Sequence, residues 1–377
     1  MAAHSRPGGR GDAPHAGCAG KATERTAVAE LRFAGDRGWS ETAFRRVWRS
    51  GGRLAGALSR SPLDVRRTFA AALAAGAGSG GPERLYRWLP FAGRAWDVIY
   101  FPWNLTAISH LPLMDRAPSV VSCRGAQINV APYNWKRAGL RQGLMTTFER
   151  SAAVHCVSEA IREEATRFGL DRAKAVVIRP GVDPSYFRPR PNGHLQTGPL
   201  RVITTGTIMW RKGYEYALTA VRMLLDRGLP VRFDVIGDGP EVQRLLYTVN
   251  DLRLADHVFW HGRLSPAEVR ARLQAADVFL LASLSEGISN AVLEAMACGL
   301  PVVTTAAGGM AEAVTDGVEG FVVPGRDPES IAVALRELDR RPEQRISMGV
   351  SGRERVKRDF RLEGQVESFV RLFQEVA

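Results

Sequence analysis

Lysine is scarce in this 377-residue chain: five of its 51 cationic side chains are lysine, and the rest are arginine. Cysteine is scarce too. Cys18, Cys123, Cys156 and Cys298 are scattered without paired spacing, which excludes a disulfide framework and a zinc site and reads as reduced thiols in a cytosolic protein. Long apolar runs are missing; the longest, near Phe69–Ala77 and Val278–Ala282, are too short to cross a bilayer. Met1–Gly20 has no apolar centre, so no secretory leader is expected and a cytoplasmic location is. No spacing of histidines and carboxylates suggests a metal site, and no nucleophile–histidine signature stands in a recognisable context. Nor is there a basic stripe interleaved with aromatics, so nucleic acid is not an expected partner.

What is present is unevenly charged. Of the formal +12, residues 1–199 carry 29 cations against 15 acids, while the remainder carry 22 against 24. A basic half can meet the inner membrane surface peripherally. Alternatively, it reflects the Ala-, Arg- and Gly-rich usage of a GC-rich genome. Both readings stand at this point.

The length suits two domains with separate cores. Residues 1–60 read as a poorly ordered or atypical segment, with Val28–Phe33 a weak strand candidate. An N-terminal domain is expected over 61–187, with strands at Trp96–Phe101, Ser119–Cys123, Ala153–Val157 and Ala175–Ile178. Arg188–Pro199 has a linker's composition. The second domain, 200–341, has six candidate strands: Arg201–Thr205, Val231–Ile236, His257–Trp260, Asp277–Ala282, Pro301–Thr304 and Gly320–Val323. Helices fit every gap, so the sheets are parallel. Six strands in this rhythm match the doubly wound order 3-2-1-4-5-6, whose crevice opens between its first and fourth strands. Residues 342–377 read as two helices packing back across the cleft, with Val366, Phe369, Val370 and Phe373 at helical spacing.

The chemistry concentrates at that crevice. Glu286 lies in the loop after Asp277–Ala282, and Glu294 lies eight positions on, inside the following helix. Gly287 frees the backbone for close approach, Asn290 is a plausible N-cap, and Gly299 with Pro301 ends the helix. A carboxylate beside a helix N-terminus suits a ligand with both hydroxyls and phosphates, such as a nucleotide sugar. Arg211-Lys212-Gly213 follows the domain's first strand, where a cation can neutralise two phosphates, although a solvated turn would look the same. Gly237–Glu241 and Gly308-Gly309 with Glu312 read first as turns. His261-Gly262-Arg263-Leu264 can present backbone groups to a base.

Together these residues resemble family 4 of the retaining glycosyltransferases, over about Leu85–Val376 and most strongly at Ser283–Thr304. Val157-Ser158-Glu159, Pro180-Gly181-Val182-Asp183 with Phe187, Lys212-Gly213, Gly237–Glu241 and Gly308-Gly309 with Glu312 match as well. The resemblance implies the α/β GT-B fold, two Rossmann-like parallel-sheet domains facing a cleft. It implies Glu294 on the donor ribose and Glu286 on the transferred sugar. The amides of Gly287, Ile288, Ser289, Asn290 and Ala291 would face sugar and phosphate. Lys212, helped by Arg211, would meet the departing diphosphate, and Arg263 with Leu264 the base. No cofactor and no divalent metal is implied. The chain departs from the family in three places. Gly206-Thr207 stands where the family often has Gly-Arg, which shifts phosphate binding toward Arg211. Arg124-Gly125 stands where many members have His-Gly near the transferred sugar, so Arg124 is a candidate catalytic residue that binds a sugar hydroxyl or, alternatively, meets an anionic group of the acceptor or donor. The first strand with its glycine-rich loop is not recognisable.

The expected function is transfer of a sugar from a nucleoside diphosphate to a saccharide or lipid-linked acceptor, in polysaccharide or glycoconjugate assembly. Two alternatives remain: another GT-B enzyme, such as an epimerase or phosphorylase, and a non-catalytic nucleotide-sugar-binding partner of an active enzyme. A four-stranded first sheet with an open edge would favour the partner.

Overall fold

A computed structural model describes residues 43–74, 81–134, 136, 139–190 and 198–377. Three helices come first: α1 (Ala43–Arg60), α2 (Pro62–Ala74) and α3 (Gly81–Trp88). The part of the N-terminal segment from residue 43 onward is therefore helical, where the sequence suggested little order. Val28–Phe33 and Cys18 lie outside the described residues.

Then strands and helices alternate: β1 (Ile99–Phe101), α4 (Asn104–Ile108), β2 (Ser119–Cys123), α5 (Ala126–Asn129), α6 (Gly139–Arg150), β3 (Ala153–Cys156), α7 (Glu159–Arg167) and β4 (Ala175–Val177). These four strands pair in parallel in the order β1-β2-β3-β4, winding one way only among the described residues.

The second sheet is built from β5 (Leu200–Thr205), α8 (Tyr214–Asp226), β6 (Val231–Ile236), α9 (Val242–Asp251), β7 (Val258–Trp260), α10 (Pro266–Ala275), β8 (Val278–Leu281), α11 (Asn290–Ala297), β9 (Val302–Thr305), α12 (Met310–Ala313) and β10 (Gly320–Val323). Its order is β10-β9-β8-β5-β6-β7, all parallel, so the winding reverses between β5 and β8. That reversal is the predicted crevice, because connections leave in opposite directions there and the two strand ends stay uncovered. β8 and β9 are buried throughout, as strands covered by helices on both faces must be. Side chains such as Phe279, Val302 and Leu293, fully enclosed, each contribute about 1.5–3 kcal/mol of burial.

The chain closes with α13 (Pro328–Arg340), α14 (Pro342–Asp359) and α15 (Leu362–Val376). α15 leaves the second sheet and lies on the first, where Leu372, Phe369 and Phe373 pack against Val120, Ala153 and Ile178. Val182 bridges to Arg361 at the crossing. Of the four-residue stripe read from the sequence, only Phe369 and Phe373 serve this packing; Val366 and Val370 are about half exposed. The first sheet is thus covered by α15 on one face and by α4, α6 and α7 on the other. The fold is α/β with two Rossmann-like parallel-sheet domains.

Candidate functional site

At the reversal, the loops after β5 and β8 are tied together by their backbones, Leu284 N–H donating to Arg211 O at 2.7 Å. A 3-10 turn over Trp210–Lys212 leads into Gly213, which is left-handed (φ 62°) and begins α8. A Cβ at Gly213 would stand 2.0 Å from Ala282 O, so only glycine lets the two loops come this close. The result brings Lys212 to Glu286: Nζ donates to Oε1 at 2.6 Å, with both side chains largely buried. Ser283 Oγ also donates to Oε1, at 2.7 Å, and its own carbonyl accepts from the Thr305 hydroxyl. Glu286 Oε2 has no partner among the described residues and still reaches solvent.

Tyr214 donates to Gly206 O at 3.2 Å, and burial first, then the Glu286 charge, push its phenol above the usual range. The Glu294 carboxyl makes no hydrogen bond among the described residues, and burial alone raises it to about 7. A carboxyl kept without a partner in a half-buried place is what a ligand's hydroxyls can satisfy. One turn later, burial and the same Glu294 push Cys298 up to about 12.

α11 begins one residue earlier than the sequence suggested. Its N-cap is Ser289, which makes no side-chain capping bond, and Asn290 is the first helical residue. The first-turn amides therefore keep no side-chain acceptor. Ile288 and Ser289 are buried, Asn290 is exposed, and Ser285 Oγ is buried without a partner among the described residues.

The first domain meets this loop directly. Asn129 Nδ2 donates to Glu286 O at 2.9 Å, and a Cβ on Gly125 would stand 3.1 Å from Gly287 N. Glu312, read in the sequence as part of a turn, caps α7 of the opposite domain. Its carboxylate accepts from Ala160 N at 2.9 Å, Glu159 N at 3.1 Å and Arg179 Nη2 at 3.1 Å. Gly309 sits against Ser158, where a Cβ would lie 2.5 Å from the serine Cβ.

The other expected residues fall at different distances from the pair. Gly206 backs onto Lys212, and Thr207 is exposed beside it. Arg211 turns its Nε to Met209 Sδ at 3.0 Å. Arg263 is 82% exposed and faces Asp238 at 3.3 Å, while Leu264 packs beside the core. Arg124, next to Gly125 at the Glu286–Gly287 loop, makes no hydrogen bond to Lys212 or Glu286 among the described residues; its guanidinium is held by Ser122 and Tyr100, both at 2.9 Å. Sequence reasoning missed Ser283, Asn129 and Tyr214. Of these, only Ser283 had a local signal, three residues before the glutamate it supports.

Among the described residues, no group of three or more His, Cys, Asp or Glu side chains could hold a metal ion, and no helix is long and apolar enough to cross a membrane.

Two parallel sheets of this kind facing one another, the second with a reversal where Lys212 meets Glu286, are the GT-B arrangement. Residues 78–186 match the family model Glycosyltransferase Family 4, and residues 189–355 match Glycosyl transferases group 1. The chain thus carries a match to Glycosyltransferase Family 4 followed by a match to Glycosyl transferases group 1, one on each domain. It is 34% identical over 220 residues to the putative colanic acid biosynthesis glycosyltransferase WcaL of Escherichia coli K12, covering 56% of this chain and 54% of that protein. It is 34% identical over 191 residues to the GDP-mannose-dependent alpha-(1-6)-phosphatidylinositol monomannoside mannosyltransferase of Mycolicibacterium smegmatis, covering 47% and 50%. The chain thus spans about half the length of these curated relatives. Its fold is similar to that of Anabaena Alr3699/HepE in complex with UDP, with a TM-score of 0.64 at 18% identity, covering 74% of this chain and 79% of the other.

Proposed function

We propose that this protein is a retaining, metal-independent glycosyltransferase that moves a hexose-like unit from a nucleoside diphosphate to a saccharide or lipid-linked acceptor, in polysaccharide or glycoconjugate assembly. The observation that carries the reading is the 2.6 Å pairing of Lys212 with Glu286 where the second sheet reverses, with the first domain packed against it.

In this reading the bond between the sugar's anomeric carbon and the β-phosphate oxygen breaks, and the electron pair leaves with the diphosphate. Lys212 Nζ has three N–H donors; one goes to Glu286, and the others are free for that growing charge. A cation and helix amides fixed in place need no reorganisation when the charge appears. Arg211 assists. Glu286 Oε2 accepts from hydroxyls of the transferred sugar, Glu294 accepts from the ribose, and the backbone at Arg263 and Leu264 receives the base. The acceptor hydroxyl attacks on the departing group's face, and its proton passes to the leaving phosphate oxygen. Retention then needs no acid–nucleophile pair of the glycosidase kind. The protein works in the cytoplasm, its basic half toward anionic headgroups when the acceptor is lipid-linked.

A second reading, a nucleotide-sugar-binding partner without activity of its own, is favoured by the first sheet, whose four described strands wind one way and show no reversal. Incubation with labelled UDP-, GDP- and ADP-sugars separates the two. Binding with transfer, an α-anomer formed from an α-linked donor, and full activity in excess chelator are the outcomes of the enzyme reading. Binding without transfer to any saccharide or lipid-linked acceptor leaves the partner reading, and no binding at all removes both.

A further inference from the structure

Arg124 occupies an unusual position for an arginine. It directly follows β2, beside Gly125 at the contact with the Glu286–Gly287 loop, and it is only partly exposed. No carboxylate lies within 4.0 Å of it among the described residues, whereas Lys212 pairs with Glu286 and Arg263 faces Asp238. Its two recorded partners are neutral: Nε donates to Ser122 Oγ and Nη2 to Tyr100 Oη, both at 2.9 Å. Nη1 has no partner among the described residues and keeps some contact with solvent. Of five guanidinium N–H groups, three remain unused.

The surroundings hold the guanidinium rather than neutralise it. Ser122 Oγ is 2.8 Å from His155 Nδ1, and His155 Nε2 is 2.8 Å from Ile178 O. A carbonyl only accepts, so Nε2 carries the proton, Nδ1 accepts the serine proton, and the serine lone pairs turn to Arg124. Burial, with the Arg124 charge beside it, holds His155 down to about 4, so it is neutral in ordinary conditions and adds no second positive charge. Tyr100 is fixed in turn by Phe369 and Phe373 of α15, with ring centres 5.6 and 5.4 Å away. This is a pre-positioned planar fork with no counter-ion, the arrangement that binds carboxylate or phosphate in two-point fashion.

We infer that Arg124 selects a carbohydrate carrying an anionic group, a carboxylate or a phosphate, in the part of the cleft beside the Glu286 loop. The inference rests on the proposed function and narrows its substrate class. The anion has two possible sources: the transferred sugar, as a uronate, or the acceptor, as a sugar or lipid phosphate.

Two comparisons distinguish them, each in the parent and in Arg124→Gln. In the first, titration calorimetry measures UDP-glucose against UDP-glucuronate and GDP-mannose against GDP-mannuronate. In the second, transfer from the neutral donors is measured to glucose 1-phosphate and to methyl glucoside. A charge-assisted two-point contact predicts about a tenfold preference for the anionic member in one arm, lost in Arg124→Gln. The arm that responds identifies the source. Tyr100→Phe keeps the charge but frees Nη2, and its preference falls between the two, which separates loss of aim from loss of fold should Arg124→Gln melt early. If the ratios in both arms are the same in the parent and Arg124→Gln, the inference is overturned. If none of the four nucleotide sugars binds, it is the proposed function that fails.

Discussion

Glu294 is stabilised in the form the donor does not need. Its carboxyl is raised by burial to about 7 from the usual 4.5, so the folded protein holds a proton there that the unfolded chain has released. Stability from this group is full below pH 4.5, falls between 4.5 and 7, and is absent above; at about 1.4 kcal/mol per unit, the loss is on the order of 3 kcal/mol. Glu294→Gln, neutral at every pH, should therefore melt higher than the parent at pH 8 and equally at pH 4.5, while binding nucleoside diphosphates more weakly. Equal melting at pH 8 would mean that the carboxylate has an unrecognised partner. Lys212 offers the opposite case. Lys212→Ala strands a buried carboxylate, at a cost of about 3 kcal/mol, and should lower turnover about a hundredfold with a smaller loss of donor affinity. Lys212→Met with Glu286→Gln should recover the stability but not the turnover, a split that denaturation and initial-rate measurements read directly. These two residues were legible from the sequence, since strand order alone brings position 212 to position 286. Arg124 was legible as a residue but not as a direction, because its aim depends on Tyr100, and Tyr100 on a helix more than 260 positions away.

At the scale of elements, strand positions were readable to within one or two residues, except β1, expected from Trp96 and beginning at Ile99. Runs such as Val278–Leu281 are apolar at every position because both faces are covered, and that signal does not depend on neighbours. The start of α11 was off by one, since a cap is settled by backbone geometry and not by whether an asparagine is nearby. The tail stripe misled for a related reason: helical spacing marks an apolar face but not how much of it is covered. α15 is the element on which the first sheet depends, and Phe369, 4.7 Å from the His155 ring, lies at its centre. Phe369→Ala should cost about 2 kcal/mol in chemical denaturation. If denaturation is unchanged, the helix is not what covers that sheet.

For the whole molecule, the division into two Rossmann-like units followed from the alternation of strands and helices and from one proline- and glycine-bearing stretch. The seam between the units did not. Asn129 on Glu286, Glu312 on α7 and Gly309 against Ser158 join positions 133 to 157 apart, and none has a periodicity or spacing that announces it. Side chains on facing surfaces are matched only once both surfaces exist.

The cap on α7 carries a consequence of its own. A helix usually obtains the acceptor for its first amides from its own preceding residues, but Glu159 N and Ala160 N obtain theirs from Glu312, on the other unit. Each parting of the halves therefore uncovers those two protons, and each return protects them. Deuterium uptake at these two amides should slow when a donor nucleotide is added, if the nucleotide holds the halves together. Two backbone hydrogens thus act as a built-in clock for how often the cleft opens.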